Sequence, residues 1–193
     1  MSSCANIAIA LLAAGASTRF GGNKLEADFR GRMLGLAAAE TIAGMRFGWQ
    51  FAVCGPKSAK LVSPLEAMGF KVIHNDTPEA GLSRSLGLAV NAAEATEAVA
   101  LLICLADMPF VMSAHLKSLT EAFHTTGTAA ASTRDSQPMP PAIFPRAQWA
   151  ELKATEGDRG ARGLIAKAVQ VEAPAAMLAD VDQPSDLWVY QRM

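Results

Sequence analysis

The chain carries almost no net charge: 17 lysines and arginines stand against 18 aspartates and glutamates over 193 residues, leaving −1 at neutral pH. That balance supplies no global basic field, so neither nucleic acid nor a membrane surface is expected as a partner, and any phosphate chemistry has to rest on local positive charge. Cysteine is equally sparse. Cys4, Cys54 and Cys104 lie far apart with no CxxC pair, which argues against a disulfide framework or zinc knuckle and fits a reducing cytoplasm. Long apolar runs are missing too. The run "AVALLICLA" at 98–106 is about half a membrane-spanning length and reads as a buried strand. "IAIALLAAGA" at 7–16 looks like the core of a secretory signal, but no lysine or arginine precedes it, and such a signal needs a positive leading region. His74, His115 and His124 stand at no ligand spacing with cysteine or carboxylate, so they read as structural or solvated.

What the sequence does have is apolar content, 51% of residues, enough for one domain of this length to bury a real core. A single domain over 1–193 is expected. Short β-branched or leucine-rich runs alternate with longer segments of helical period, the pattern of a mostly parallel sheet covered by helices on both faces. Strands are predicted at 6–12, 50–54, 71–74 and 99–105, and helices at 33–45, 58–68, 83–95 and 113–123. The prolines of "QPMPPAIFP" at 137–145 argue against a central strand over most of 127–144 and suggest a loop reaching an edge strand. Helix resumes near Ala147 and Ala161. Short strands are predicted at 169–171 and 177–181, and Pro184 begins a final helix. In such a sheet ligands sit outside the carboxyl ends of the strands, so functional residues should cluster just after them.

The first such place is "LLAAGASTRFGGNK", residues 11–24. Arg19 is the first charged residue of the chain, so a neutral strand and turn deliver Arg19 and Lys24 together. Ala13, Ala14, Gly15 and Ala16 carry almost no side chain, and their backbone N–H groups can approach an anion closely. Two cations and bare amides suit a polyphosphate. The spacing fits neither GxxxxGK[ST] nor GxGxxG.

Carboxylates come next. No charge lies between Glu97 and Asp107, so Asp107 is the first carboxylate met as the chain leaves a buried strand, in "ADMP". That position suits Mg²⁺, a hard cation held by one or two carboxylates with substrate phosphates and waters. The other role for Asp107, capping the next helix, falls better to Ser113. In "LADVDQPSDL", 178–187, Asp180 and Asp182 alternate along a predicted strand and would face one ion together, although Asp182 also suits a cap for the last helix. "HNDTPEAGLSRSLGLAV", 74–90, puts Asn75 after a strand and Gly81, Ser83 and Ser85 at a helix start, where an anion or a base edge can be held or a helix merely capped. "GDRGARGLI", 157–165, carries Arg159 and Arg162 for an acceptor phosphate, or Asp158 as a helix cap.

The 11–24 stretch resembles the signature of nucleotidyltransferases with the molybdopterin guanylyl- and cytidylyltransferase fold, of the type L-x-A-G-x-S-x-R-x-G-x-x-K. Leu12, Ala14, Gly15, Ser17, Arg19, Gly21 or Gly22, and Lys24 fill it. The A-D-x-P aspartate, Asp107, and a late D-x-D-T-P-x-D-L segment, with Gln183 where threonine is usual, match the same family. The resemblance implies an α/β, three-layer, Rossmann-like nucleotidyltransferase (nucleotide-diphospho-sugar transferase) fold with a mostly parallel central sheet. It also implies Mg²⁺ on Asp107 and Asp182. A-A-G at 13–15 and G-L-x-x-S at 81–85 look like the cytidylyl branch, so the implied reaction moves CMP from CTP to the terminal phosphate of molybdopterin with release of pyrophosphate. Arg19, Lys24 and Asp107 would be catalytic. Leu12, Ala13, Ala14, Gly15, Ser17, Asn75, Gly81, Leu82 and Ser85, with the two cations, would bind nucleotide. Pro141, Asp158, Arg159 and Arg162 would bind the acceptor, although Pro140 and Pro141 stand where many relatives have His-Pro. Transient contact with a molybdoenzyme or its chaperone would follow. Other readings stay open: GTP as donor, a sugar phosphate or methylerythritol phosphate as acceptor, a glycosyltransferase reading of "DVD", or a non-catalytic carrier of the cofactor.

Overall fold

In the computed structural model the described residues are 4–15, 20–157 and 161–190. A seven-stranded sheet forms their centre, in the order β5-β4-β1-β6-β8-β7-β9. The strands are β1 (Ile7–Ala13), β4 (Trp49–Cys54), β5 (Lys71–His74), β6 (Ala100–Leu105), β7 (Ala130–Arg134), β8 (Gln137–Pro145) and β9 (Val169–Glu172), with a small separate ribbon of β2 (Asp28–Phe29) and β3 (Arg32–Met33). β5, β4, β1 and β6 run parallel, β7 is parallel to β9, and β8 is antiparallel to both of its neighbours.

β1 is buried along its whole length, and its alternation builds both faces at once. Ile7, Ile9, Leu11 and Ala13 join the core beneath α1 (Leu34–Ala43), α2 (Val62–Ala67) and α4 (Ser113–Thr126). Ala8, Ala10, Leu12 and Ala14 join the core beneath α3 (Leu82–Glu94), α5 (Trp149–Lys153) and α6 (Arg162–Ile165). A strand covered on both sides has no use for polar positions, which is why "IAIALLA" reads as continuous apolar sequence. A third, smaller cluster of Phe29, Leu34, Ala37, Val181 and Leu187 seats α7 (Pro184–Tyr190) against the β2–β3 ribbon and the start of α1. Phe110 packs edge-on to both Phe29 and Tyr190, at ring separations of 5.7 and 5.2 Å. No helix among the described residues is long and apolar enough to cross a membrane.

The α/β class and the mostly parallel sheet agree with the sequence reading, and two expectations are corrected. The proline-rich segment is a strand inside the sheet, not a loop at its edge. Ala142–Pro145 of β8 pairs with Ala100–Ile103 of β6, and of these Ala142 and Ile143 are flanked by β7 as well. Pro138, Pro140 and Pro141 lie on the part of β8 that runs past β6, so their missing N–H groups cost no bond on that side. A register shift at Ala131 and Ser132 of β7 accommodates them on the other. The second correction concerns 177–181, which forms no strand. A single backbone bond, Val181 N–H to the carbonyl of Asp107 at 2.9 Å, replaces the ladder, and the facing of Asp180 and Asp182 inferred from strand alternation lapses with it. Ser113 is the first residue of α4 and makes no capping bond, the cap position being Met112.

His115, on α4, is buried and its Nε2 lies 2.8 Å from the hydroxyl of Ser132. Ser132 spends its own proton on the carbonyl of Pro141, at 2.7 Å, so His115 is the donor and pins α4 to the β7–β8 hairpin. Burial holds the imidazole below its ordinary pKa. The unfolded chain, titrating near the usual value of about 6.5, therefore takes up a proton before the folded one does. Stability is lost as pH falls from that value through the lowered folded one. Equilibrium denaturation of wild type and His115→Gln between pH 7.5 and 5 should show wild type losing the larger share.

Candidate functional site

The carboxyl ends of β1, β4 and β6 open toward one side of the sheet. Ala106 N–H bonds to the carbonyl of Leu12 at 3.0 Å, extending the parallel ladder to the doorstep of Asp107. Lys24 arrives from the other direction, on a short 3₁₀ turn spanning Lys24–Glu26. Leu25 anchors this turn in the core, and Glu26 accepts the backbone N–H of Lys60 at 3.2 Å. Asp182 comes from the far end of the chain, placed by the Val181–Asp107 bond and by Asp186, one of whose carboxylate oxygens accepts the backbone N–H groups of both Asp182 and Gln183 at 2.8 Å. Sequence reading gave Asp186 no role. Its place in the third helical position, one turn inside Pro184, is the signal for such a backward-reaching cap.

These three elements meet at one ammonium group. Lys24 Nζ donates to Asp107 Oδ2 at 2.8 Å and to Asp182 Oδ1 at 3.1 Å. The lysine side chain is 10% exposed and those of Asp107 and Asp182 are 24% and 42% exposed, so the cluster sits at the floor of an opening with Asp182 at its rim. Burial opposes the charged form of Lys24, but the Asp107 carboxylate, with Asp182 behind it, outweighs burial and holds the ammonium above the ordinary lysine range. Among the described residues, Asp107 Oδ1 is buried with no hydrogen-bond partner. Asp180, on the adjoining loop, has its pKa raised by desolvation and then by repulsion from Asp107 and Asp182.

A cavity of about 300 Å³ lies beside this cluster, walled by Ala13, Ala14, Gly15, Asn23, Gly55 and Ser58 with other residues of the same loops. Gly55 is closely packed: a Cβ there would sit 3.3 Å from both the Cα and the carbonyl oxygen of Ala14, so that backbone would have to yield by a few tenths of an ångström. At Gly15 a Cβ would meet nothing within 4 Å, so protein packing does not dictate that glycine and the space beside its backbone is open. A second, smaller hollow of about 140 Å³ lies under α3 and α6. It is lined by Leu12, Leu82, Pro140, Ala142, Phe144 and Arg162 among others.

The sequence-selected residues thus divide. Lys24, Asp107 and Asp182 converge; Ala13, Ala14 and Gly15 form the wall of the larger cavity; Leu12, Leu82 and Arg162 line the smaller one with Pro140. The side chains of Asn75 and Ser85 are buried and bonded to each other at 3.0 Å, and Asn75 Oδ1 also accepts the N–H of Thr77 at 3.1 Å. That pair ties the end of β5 to α3. Gly81 precedes α3 at φ +89°, a conformation costly for any residue with a Cβ. Pro141 is buried, and its carbonyl serves Ser132. Ser17, Arg19, Asp158 and Arg159 lie outside the described residues.

The chain is 30% identical over 199 residues to the purine catabolism protein PucB of Bacillus subtilis strain 168, covering 94% of each. Its fold matches Rv0371c of Mycobacterium tuberculosis H37Rv at a TM-score of 0.85 and 21% identity, over 97% of this chain and 99% of that one. The same mycobacterial protein solved with manganese matches at 0.80 and 22%, over 97% and 98%. Molybdopterin-guanine dinucleotide biosynthesis protein A of Archaeoglobus fulgidus matches at 0.71 and 19%, over 96% and 97%. Residues 9–181 match the MobA-like NTP transferase domain, a span that takes in Lys24, Asp107 and both cavities, and the chain belongs to that family of nucleotidyltransferases.

Proposed function

We propose that the protein is a divalent-metal-dependent cytidylyltransferase that moves CMP from CTP to the phosphate of molybdopterin and releases pyrophosphate. The observation that carries this reading is the meeting of Lys24, Asp107 and Asp182 beside a cavity walled by the bare backbone of Ala13–Gly15. Two carboxylates supply hard oxygen donors, and Asp107 Oδ1 is a buried acceptor with no partner among the described residues, a donor set that suits Mg²⁺ completed by phosphates and water. Asp107 and Asp182 would hold the ion, which when bound neutralises phosphate charge and fixes the triphosphate's orientation. Lys24 would bring its positive charge to the triphosphate, joined by Arg19, and the backbone N–H groups near Ala14 and Gly15 would donate to phosphate oxygens. An oxygen of the acceptor phosphate attacks the α-phosphorus of CTP; as that bond forms, the bond to the β-phosphate bridging oxygen breaks and pyrophosphate departs with its electron pair. No covalent intermediate on the protein is needed, so alignment and charge neutralisation supply the catalysis.

Cytosine is the favoured base because the Ala13–Ala14–Gly15 loop, part of the wall of the larger cavity, has the form associated with the cytidylyl branch. The smaller hollow, lined by apolar residues and Arg162, is the proposed seat of the acceptor, with Pro141, Asp158 and Arg159 close in sequence to its lining residues Pro140 and Ala161. A panel of the four nucleoside triphosphates with Mg²⁺, each with and without molybdopterin, tests base and acceptor together. Pyrophosphate should appear with CTP plus molybdopterin. Release with GTP alone among the four would reassign the base, and no release in any arm would overturn the enzymatic reading.

A further inference from the structure

We propose that Lys24 is an exchangeable internal cation: without nucleotide its ammonium group holds Asp107 and Asp182 in the place the divalent ion would take, and it leaves them for the triphosphate when metal and nucleotide arrive together. This rests on the reading of the two aspartates as metal ligands. Their carboxylates come from segments 75 residues apart in sequence (182 minus 107), and without a cation between them they would repel. The structure solves this with one donor at 2.8 and 3.1 Å from the two acids. Lysine suits a temporary occupant. Its charge is a point at the end of a flexible four-carbon stem with three rotatable donors, so the tip can turn from one anionic partner to another while its backbone stays put. The backbone does stay put here, since Leu25 is buried beside it and Ala27 N–H closes the turn onto the Lys24 carbonyl at 3.2 Å.

The substitution is incomplete. Lys24 satisfies Asp107 Oδ2 and leaves Oδ1 buried without a partner among the described residues, whereas an ion with six ligand positions has a use for both acids and for phosphate oxygens. Free metal has to displace the ammonium with nothing to receive it. A metal–nucleotide complex brings phosphates that offer Lys24 a new anionic partner. Weak binding of metal by itself and strong binding alongside nucleotide then follow from one side chain.

Titration of Mn²⁺ followed by electron paramagnetic resonance, with no nucleotide present, separates this from a purely catalytic lysine. Lys24→Ala should bind Mn²⁺ about tenfold or more tightly than wild type, the scale of one charge-assisted hydrogen bond no longer in competition. Lys24→Arg, which keeps the charge, should stay near wild type, and Lys24→Ala with Asp107→Ala should lose the gain. Lys24→Gln, close to lysine in length, gives the same reading if the alanine variant folds poorly. Repeating wild type with a non-hydrolysable CTP analogue separates the two levels of argument. Tight Mn²⁺ binding with the analogue, but no tightening in Lys24→Ala or Lys24→Gln without it, overturns the exchange and leaves the enzymatic reading standing. No Mn²⁺ binding in any sample removes the metal site and the exchange with it.

Discussion

Asp107→Ala should lower the turnover of CTP and acceptor by roughly 10³–10⁴ while leaving the fold in place. The aspartate lies just past the end of β6, and its side chain makes its hydrogen bond to Lys24, not to the core. Its loss removes one of the two acids proposed to hold the divalent ion, so the developing charge on the phosphates would lose the cation that neutralises it. Stability is set elsewhere, in the two apolar layers on either face of the sheet. The backbone bond from Val181 to the Asp107 carbonyl survives the substitution. Single-turnover pyrophosphate release and a thermal melt, run on the same preparation, make the comparison. A variant that melts like wild type and turns over within tenfold of it would remove Asp107 from the mechanism.

Lys24→Ala should cost about 10²–10³ in kcat, the usual loss when one preorganised donor to a developing oxyanion is removed. Its effect should be non-additive with that of Asp107, because the two groups hold each other at 2.8 Å and are proposed to serve the same phosphates. The double variant should therefore be little slower than Asp107→Ala alone. Full additivity would mean that the lysine and the aspartate serve separate steps. The same Lys24→Ala protein is expected to bind nucleotide-free metal more tightly than wild type while working more slowly, opposite signs that simple damage to the site does not produce.

The parallel half of the fold was legible because burial on both faces leaves no room for polar residues in β1 and β6, and the sequence there is apolar without break. Asp107 was legible for a related reason, as the first charge after the neutral run 98–106, and Lys24 was legible as the cation that closes the small-residue stretch 11–24. Legibility failed where a residue's local preference was overridden by its neighbours in space. Proline is a poor strand residue only when both flanks need its N–H, and beyond β6 one flank of β8 is absent. The 177–181 segment has the composition of a strand but meets the edge of a loop, where only one bond is on offer. Asn75 and Ser85 have the chemistry of ligand contacts and face each other across ten residues, a pairing that no local pattern announces. Asp186 was visible as a residue of the late aspartate segment, but its grip on two backbone N–H groups depends on a helix whose first turn has to form before the reach is defined.

The overhang of β8 past β6 divides the molecule into a part that cannot drift and a part that can. Where four parallel strands are locked to one another, a changed residue disturbs every layer above and below. The projecting hairpin is held on its far side by the short outer strand β9 and braced from behind by one imidazole–hydroxyl–carbonyl relay. Descendants of such a scaffold are free to reshape that cornice, and with it the guest they receive, without retuning the machinery that readies the donor.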